Sequence, residues 1–143
     1  MNTPDESTPS LSILVAEDND INALLTRSLL TRLGHRPEVT PDGAAAVEAW
    51  QAAQDAGSPH DVILMDVHMP GVDGFEATRR IRAAEASSGK PRTRIIALTA
   101  NAYEEDRDAC LASGMDDFLV KPLVRERLIE TLASSLGKAS AAA

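Results

Sequence analysis

The sequence is short of several things, and each shortage narrows what the chain can do. It has one cysteine, Cys110, so no disulfide can form within the chain, and nothing calls for an oxidising compartment. Aromatic residues make up only 3%. A chain this poor in them and rich in Ala, Val, Leu and Ile points to helices packed on a β-branched sheet rather than to a sandwich. No apolar run approaches the roughly 18–20 residues that span a bilayer. The opening MNTPDESTPS lacks the basic and apolar regions of a secretory leader, so the expected address is cytoplasmic, with no membrane contact by this domain. Basic residues number 14 against 22 acids, and the net charge of −8 argues against non-specific binding to nucleic acid or an anionic surface. Basic partners and cations remain as natural company.

What is there reads as one domain, since 143 residues suffice to bury a proper core. Residues 1–10 are Pro, Ser, Thr and acid with little to bury, and are expected to be a disordered tail or linker. The domain is placed at 11–137, with 138–143 as a flexible tail. From Ser12, SILVA predicts a short buried strand closed by Glu17-Asp18; Asn19 or Asp20 can cap the helix that follows. In that helix Ile21, Leu24, Leu25, Ser28, Leu29 and Leu33 fall at helical spacing, and Leu24 and Leu25 are expected to face the core. Gly34 ends it.

A weaker strand at Pro37–Thr40 is expected at a sheet edge because of its proline. A second helix opens at Asp42-Gly43 with the stripe Ala46, Val47, Trp50 and Ala53. The run VILM, closed by Asp66, predicts the central strand, and a third helix spans Phe75 to about Ala86. A fourth strand, Ile95–Leu98, closes at Thr99; a charged helix covers about Tyr103–Leu111. A fifth strand, Asp117–Val120, closes at Lys121-Pro122, and a last helix carrying Leu128, Leu132 and Leu136 is expected to finish near Gly137. Strands alternating with helices through short loops predict an α/β doubly wound parallel sheet, and the edge-like second strand suggests the order 2-1-3-4-5.

In a parallel sheet the carboxyl ends of all strands lie along one rim, where ligands bind. Glu17 and Asp18 arrive there from the first strand, Asp66 from the third, Thr99 from the fourth and Lys121 from the fifth. Any one of these is an ordinary polar loop residue; five together are not. Two carboxylates about 4 Å apart repel by roughly 4 kcal/mol at an effective dielectric near 20, so a structural corner of three is costly. A divalent cation removes that cost, and oxygen-only ligands suit Mg²⁺, with Mn²⁺ as a stand-in, rather than Zn²⁺. A carboxylate nucleophile, a metal, an ammonium and a hydroxyl are the parts of an acyl-phosphate site.

Glu17-Asp18, Asp66 within LMDVHMPGVDG, Thr99-Ala100 and Lys121-Pro122 stand in order and with the spacing of a known family. Over residues 11–137 the chain resembles the receiver domain of two-component response regulators, and VAEDNDIN and ALTANAY resemble receivers attached to hybrid histidine kinases. The resemblance implies a flavodoxin-like (βα)5 fold and a phosphorelay role. Asp66 is the implied phospho-acceptor, receiving its phosphoryl group from a histidine kinase or histidine phosphotransfer protein in a Mg²⁺-dependent reaction. Glu17, Asp18, Asp66 and the backbone carbonyl of His68 are the implied metal ligands. Lys121 pairs with the phosphoryl oxygens and Thr99 hydrogen-bonds to one of them. Phe118 matches the aromatic switch position paired with Thr99, and His68 and Asn101 match positions that tune phosphoryl lifetime. The Lys121-Pro122 bond is expected to be cis. The chain is then a switch rather than an enzyme, with weak self-phosphorylation and self-dephosphorylation. It is a monomer or weak dimer, and either a stand-alone regulator or a fragment of a hybrid histidine kinase. In the family the exposed side of the first helix meets the phosphodonor, which makes Asn22 and Arg27 candidates.

Competing readings are weaker. A Mg²⁺-dependent phosphatase with an Asp nucleophile typically has an acid two residues on, where this chain has His68. A flavodoxin-like cofactor carrier needs a phosphate cradle after the first strand, where Glu17-Asp18-Asn19-Asp20 would repel phosphate unless a metal intervened. A silent pseudo-receiver would not need the complete acid, Thr and Lys set. His35, His60 and His68 are expected at the surface, Trp50 in the core, Cys110 half-buried, and Arg79, Arg80 and Arg82 on a solvated face.

Overall fold

In the computed structural model the described residues are 10–100, 104–121 and 123–142, with the side chains of 104–106 and 134–142 outside that description. Asn101, Tyr103 and Pro122 lie outside the described residues, and with them the lifetime-tuning role of Asn101 and the cis bond before Pro122. The elements are β1 (Ser12–Ala16), α1 (Asp20–Arg32), β2 (Arg36–Thr40), α2 (Gly43–Asp55), β3 (Val62–Asp66), α3 (Gly74–Ser88), β4 (Arg94–Thr99), α4 (Glu104–Ser113), β5 (Asp117–Val120) and α5 (Arg125–Ala142). The strands form one parallel sheet in the order β2-β1-β3-β4-β5. β3 is buried at every position, as a central parallel strand must be with helices on both faces. β2, carrying Pro37, is the half-exposed edge.

Side-chain alternation splits the core in two. Leu14, Ile63, Met65, Ile95 and Ala97 point to one face and meet Ala46 and Trp50 of α2, Ala77 and Ile81 of α3 and Cys110 of α4. Ile13, Val15, Leu64, Ile96 and Leu98 point to the other and meet Leu30 of α1 and Leu128 and Leu132 of α5. Asn19, Asp42 and Asp73 cap α1, α2 and α3, each side chain accepting from the backbone N–H three residues on, at 2.9, 2.8 and 2.9 Å. Each such cap stabilises by about 1 kcal/mol and fixes how the chain leaves the rim.

The structure corrects several expectations. α1 buries Ala23, Thr26 and Leu30, whereas Ile21, Leu24 and Leu25 are 70%, 62% and 63% exposed. His35 and His60 are buried: His35 Nδ1 accepts from the Leu11 N–H at 3.1 Å, and His60 Nε2 lies 2.9 Å from Glu38 Oε1. Cys110 is buried rather than half-buried. Arg82 is not solvated; it makes four hydrogen bonds, to Gly114 O, Glu85, Thr93 O and Asp116. α5 continues through Gly137 to Ala142. Trp50 is fully buried as expected, and its indole N–H donates to Thr93 Oγ1 at 3.0 Å.

Candidate functional site

Register decides what reaches the rim. Ala16 pairs with Met65, Asp66 with Leu98 and Thr99 with Val120, so Glu17, Asp66, Thr99 and Lys121 come level at one edge. Backbone bonds hold the level: Val67 N donates to Leu98 O at 3.1 Å, Lys121 N to Thr99 O at 2.8 Å and Glu17 N to Thr40 O at 3.1 Å. Gly74 sets the height of α3 above Asp66, because a Cβ there would lie 2.3 Å from Asp66 O and 2.9 Å from Val67 Cα. Only glycine lets the helix start this close to the strand end.

Three side chains then converge. Lys121 Nζ donates to Asp66 Oδ2 at 2.9 Å and to both Glu17 oxygens at 3.0 and 2.9 Å. The His68 N–H donates to Asp66 Oδ1 at 3.1 Å, so both Asp66 oxygens are held. Glu17, Asp66 and Thr99 are buried, while Asp18 and His68 are exposed. Phe118 is partly buried against the core and pairs with Ala97 in the sheet. Burial and a proton shared with Asp66 push the Glu17 carboxyl up to about 7, against the pull of Lys121. Burial alone would raise Asp66, but hydrogen bonds from Glu17, Lys121 and the His68 N–H hold it below its ordinary value, so it is ionised at neutral pH. Lys121 is raised: burial opposes its charge, and the two acids more than restore it.

The site is therefore a fixed carboxylate with a fixed ammonium beside it, and a second acid that one ammonium does not fully satisfy. Glu17, Asp18 and Asp66 each offer an oxygen, all within 4.8 Å of one another. An all-oxygen donor set of this kind fits a hard divalent cation. The sequence-predicted acids and Lys121 are brought together, and Thr99 lies level with them. Sequence reasoning missed the Lys121–Glu17 pairing and the seat at Gly74; the Asp-Gly pair opening α3 was the available signal for the second.

The chain matches the family described as response regulator receiver domain over residues 13–133. It is 41% identical over 137 residues to the virulence sensor protein BvgS of Bordetella pertussis, covering 92% of this chain and 11% of that protein. It is 40% identical over 136 residues to the sensor protein GacS of Pseudomonas syringae, covering 95% and 14%. The chain thus spans a small part of the curated relatives it matches. Among solved structures, it resembles the receiver domain of a sensor histidine kinase from Pseudomonas aeruginosa with magnesium in its active-site cleft. The TM-score is 0.77 and the identity 40%, covering 90% of this chain and 99% of that one. A yeast response regulator receiver co-crystallised with a histidine phosphotransfer protein gives a TM-score of 0.78 at 31% identity, covering 86% of each chain.

Proposed function

The chain belongs to the response regulator receiver domain family, and from that membership we propose that Asp66 is the residue that accepts the phosphoryl group. The donor is a phosphohistidine of a histidine kinase or phosphotransfer protein. A carboxylate oxygen of Asp66 bonds to phosphorus as the phosphorus–imidazole bond breaks, and its electron pair returns to the donor histidine. The observation that carries this reading is Lys121 Nζ meeting Asp66 and Glu17 together, within 3.0 Å of each. That contact keeps Asp66 ionised and oriented, and it supports a role for Lys121 as the cation that meets the phosphoryl oxygens.

Glu17, Asp18 and Asp66 would hold Mg²⁺, or Mn²⁺ in its place, with the His68 backbone carbonyl as a further ligand. When bound, the ion supplies positive charge that offsets the charge on the transferring group. Thr99 donates its hydroxyl to a phosphoryl oxygen and Phe118 moves into the space this opens, so α4 and β5 carry the message. His68, exposed beside Asp66, and Asn101 set how quickly water reaches the phosphoryl group. The protein is a switch with weak self-phosphorylation and self-dephosphorylation, functioning through residues 11–137 as a monomer or weak dimer. Among the described residues no helix is long and apolar enough to cross a membrane.

The exposed Ile21, Leu24 and Leu25 of α1 supply an apolar face for the phosphodonor, flanked by Asn22 and Arg27. Leu24→Asp with Leu25→Asp should slow transfer from a phosphotransfer protein while leaving labelling by acetyl phosphate unchanged. Equal slowing of both would place the docking face elsewhere. The reading as a whole is tested by intact mass after incubation with Mg²⁺ and acetyl phosphate. One phosphoryl adduct on the wild type and none on Asp66→Asn is expected; an equal adduct on both would move the acceptor off Asp66.

A further inference from the structure

The turn that follows α4 and the first half of that helix make different contacts. Just past its C-terminal end, the carbonyl of Gly114 accepts from Arg82 Nε and Arg92 Nη2, both at 2.9 Å. Asp116 accepts from the same two arginines at 2.8–3.0 Å and from the Ile95 N–H at 2.9 Å. These bonds tie the α4–β5 turn to α3 and to the start of β4, so a displacement of α4 would pivot about that end. In the first half of the helix, Arg107 lies over the Phe118 ring, its Cζ 5.1 Å from the ring centroid. Arg107 itself is exposed, while the ring is partly buried against the core.

We propose that Arg107 is a positioning residue for Phe118: its guanidinium covers the ring and holds it in its half-buried place, the arrangement taken as that of the unphosphorylated protein. This rests on the switch reading of Thr99 and Phe118 given above. Phe118 has no hydroxyl with which to find a partner at the surface, so a guanidinium on its face is what can hold it there. The attraction of a cation for an aromatic face falls steeply with distance. A ring that moves inward toward Thr99 leaves an exposed guanidinium behind, so the contact stabilises the unphosphorylated arrangement and opposes the switch. Loss of Arg107 then makes the switch easier to throw.

The test uses the full chain with 4-fluorophenylalanine at both phenylalanines, the Phe118 resonance being identified by its loss in Phe118→Leu. Fluorine spectra are recorded without and with Mg²⁺ and beryllofluoride. In the wild type the Phe118 resonance should move on adding the mimic. Arg107→Ala and Arg107→Gln should shift it part of the way in the absence of the mimic and tighten beryllofluoride binding about two- to five-fold, the weight of an exposed cation–π contact. Arg107→Lys, which keeps a cation, should lie between them and the wild type. A wild-type ring that moves while Arg107→Ala and Arg107→Gln change neither resonance nor affinity overturns the role of Arg107 alone. A wild-type ring that does not respond to the mimic overturns the switch reading and this inference with it.

Discussion

Replacing Gly74 by alanine tests how the fold holds Asp66 in place. The added Cβ would sit 2.3 Å from Asp66 O, 2.9 Å from Val67 Cα and 3.0 Å from Asp66 C. These are main-chain atoms at the end of the central strand, so no side chain can swing aside and α3 or the strand end must shift. Overpacking of a tight interior costs about 1–3 kcal/mol, and backbone on both sides places this case toward the upper end. The better helix propensity of alanine returns at most about 1 kcal/mol. A net loss near 2 kcal/mol lowers the melting temperature of a domain of this size by roughly 6 °C. Because the displaced group is Asp66 itself, Mg²⁺ affinity should fall as well. Gly71→Ala is the control: φ there is +73° with nothing within 4 Å of the added Cβ. It should cost about 1–2 kcal/mol for the left-handed backbone and leave Mg²⁺ affinity unchanged. Thermal melting and calorimetric Mg²⁺ titration read both quantities. A Gly74→Ala protein with wild-type melting temperature and Mg²⁺ affinity would refute the claim that this close approach fixes the carboxylate.

Arg82→Met removes four hydrogen bonds and strips Glu85, which is 6% exposed, of its cation. Breaking one side of a buried pair costs about 3–5 kcal/mol, so urea unfolding should shift by that much, and a loss below about 1 kcal/mol would mean that Glu85 finds water instead. Burial holds the His35 imidazole below its usual 6.5, so the native state binds fewer protons than the unfolded chain in acid. That contribution is complete above pH 6.5 and is lost as pH falls below it; His35→Gln should flatten the stability profile there, and an unchanged slope would assign the proton elsewhere. Glu17 must shed a proton to bind a metal, and its carboxyl titrates at about 7. Mg²⁺ affinity should therefore weaken by up to about tenfold per unit as pH drops below that point, and a flat affinity from pH 8 to 5.5 would remove Glu17 from the ligand set.

Alternation of strand and helix periods was legible in the sequence because it is written in residue after residue, and Pro37 marked β2 as an edge strand, but the order of the other strands does not follow from the periods alone. The rim was legible because five polar residues end four strands. The orientation of α1 was not: Ala23, Thr26 and Leu30 share the helical spacing of Leu24 and Leu25, and spacing alone cannot choose between adjacent stripes. The sheet takes the stripe of Ala23, Thr26 and Leu30 and leaves Ile21, Leu24 and Leu25 to solvent. His35 and Arg82 were misread for a related reason. Their burial depends on partners distant in sequence, Leu11 for one and Gly114 and Asp116 for the other. Glu17 and Lys121, 104 residues apart, meet only because β1, β3, β4 and β5 share a register.

The proposed role of Asp66 as phospho-acceptor, within a rim built from Glu17, Asp18, Thr99 and Lys121, is open to one direct measurement. Transfer from a radiolabelled phosphohistidine protein in the presence of Mg²⁺, followed by peptide mapping, tests it most directly. A base-labile, acid-stable label on the peptide containing Asp66, absent when Mg²⁺ is chelated, is expected. Label on any other peptide, or label that persists in Asp66→Asn, would contradict it.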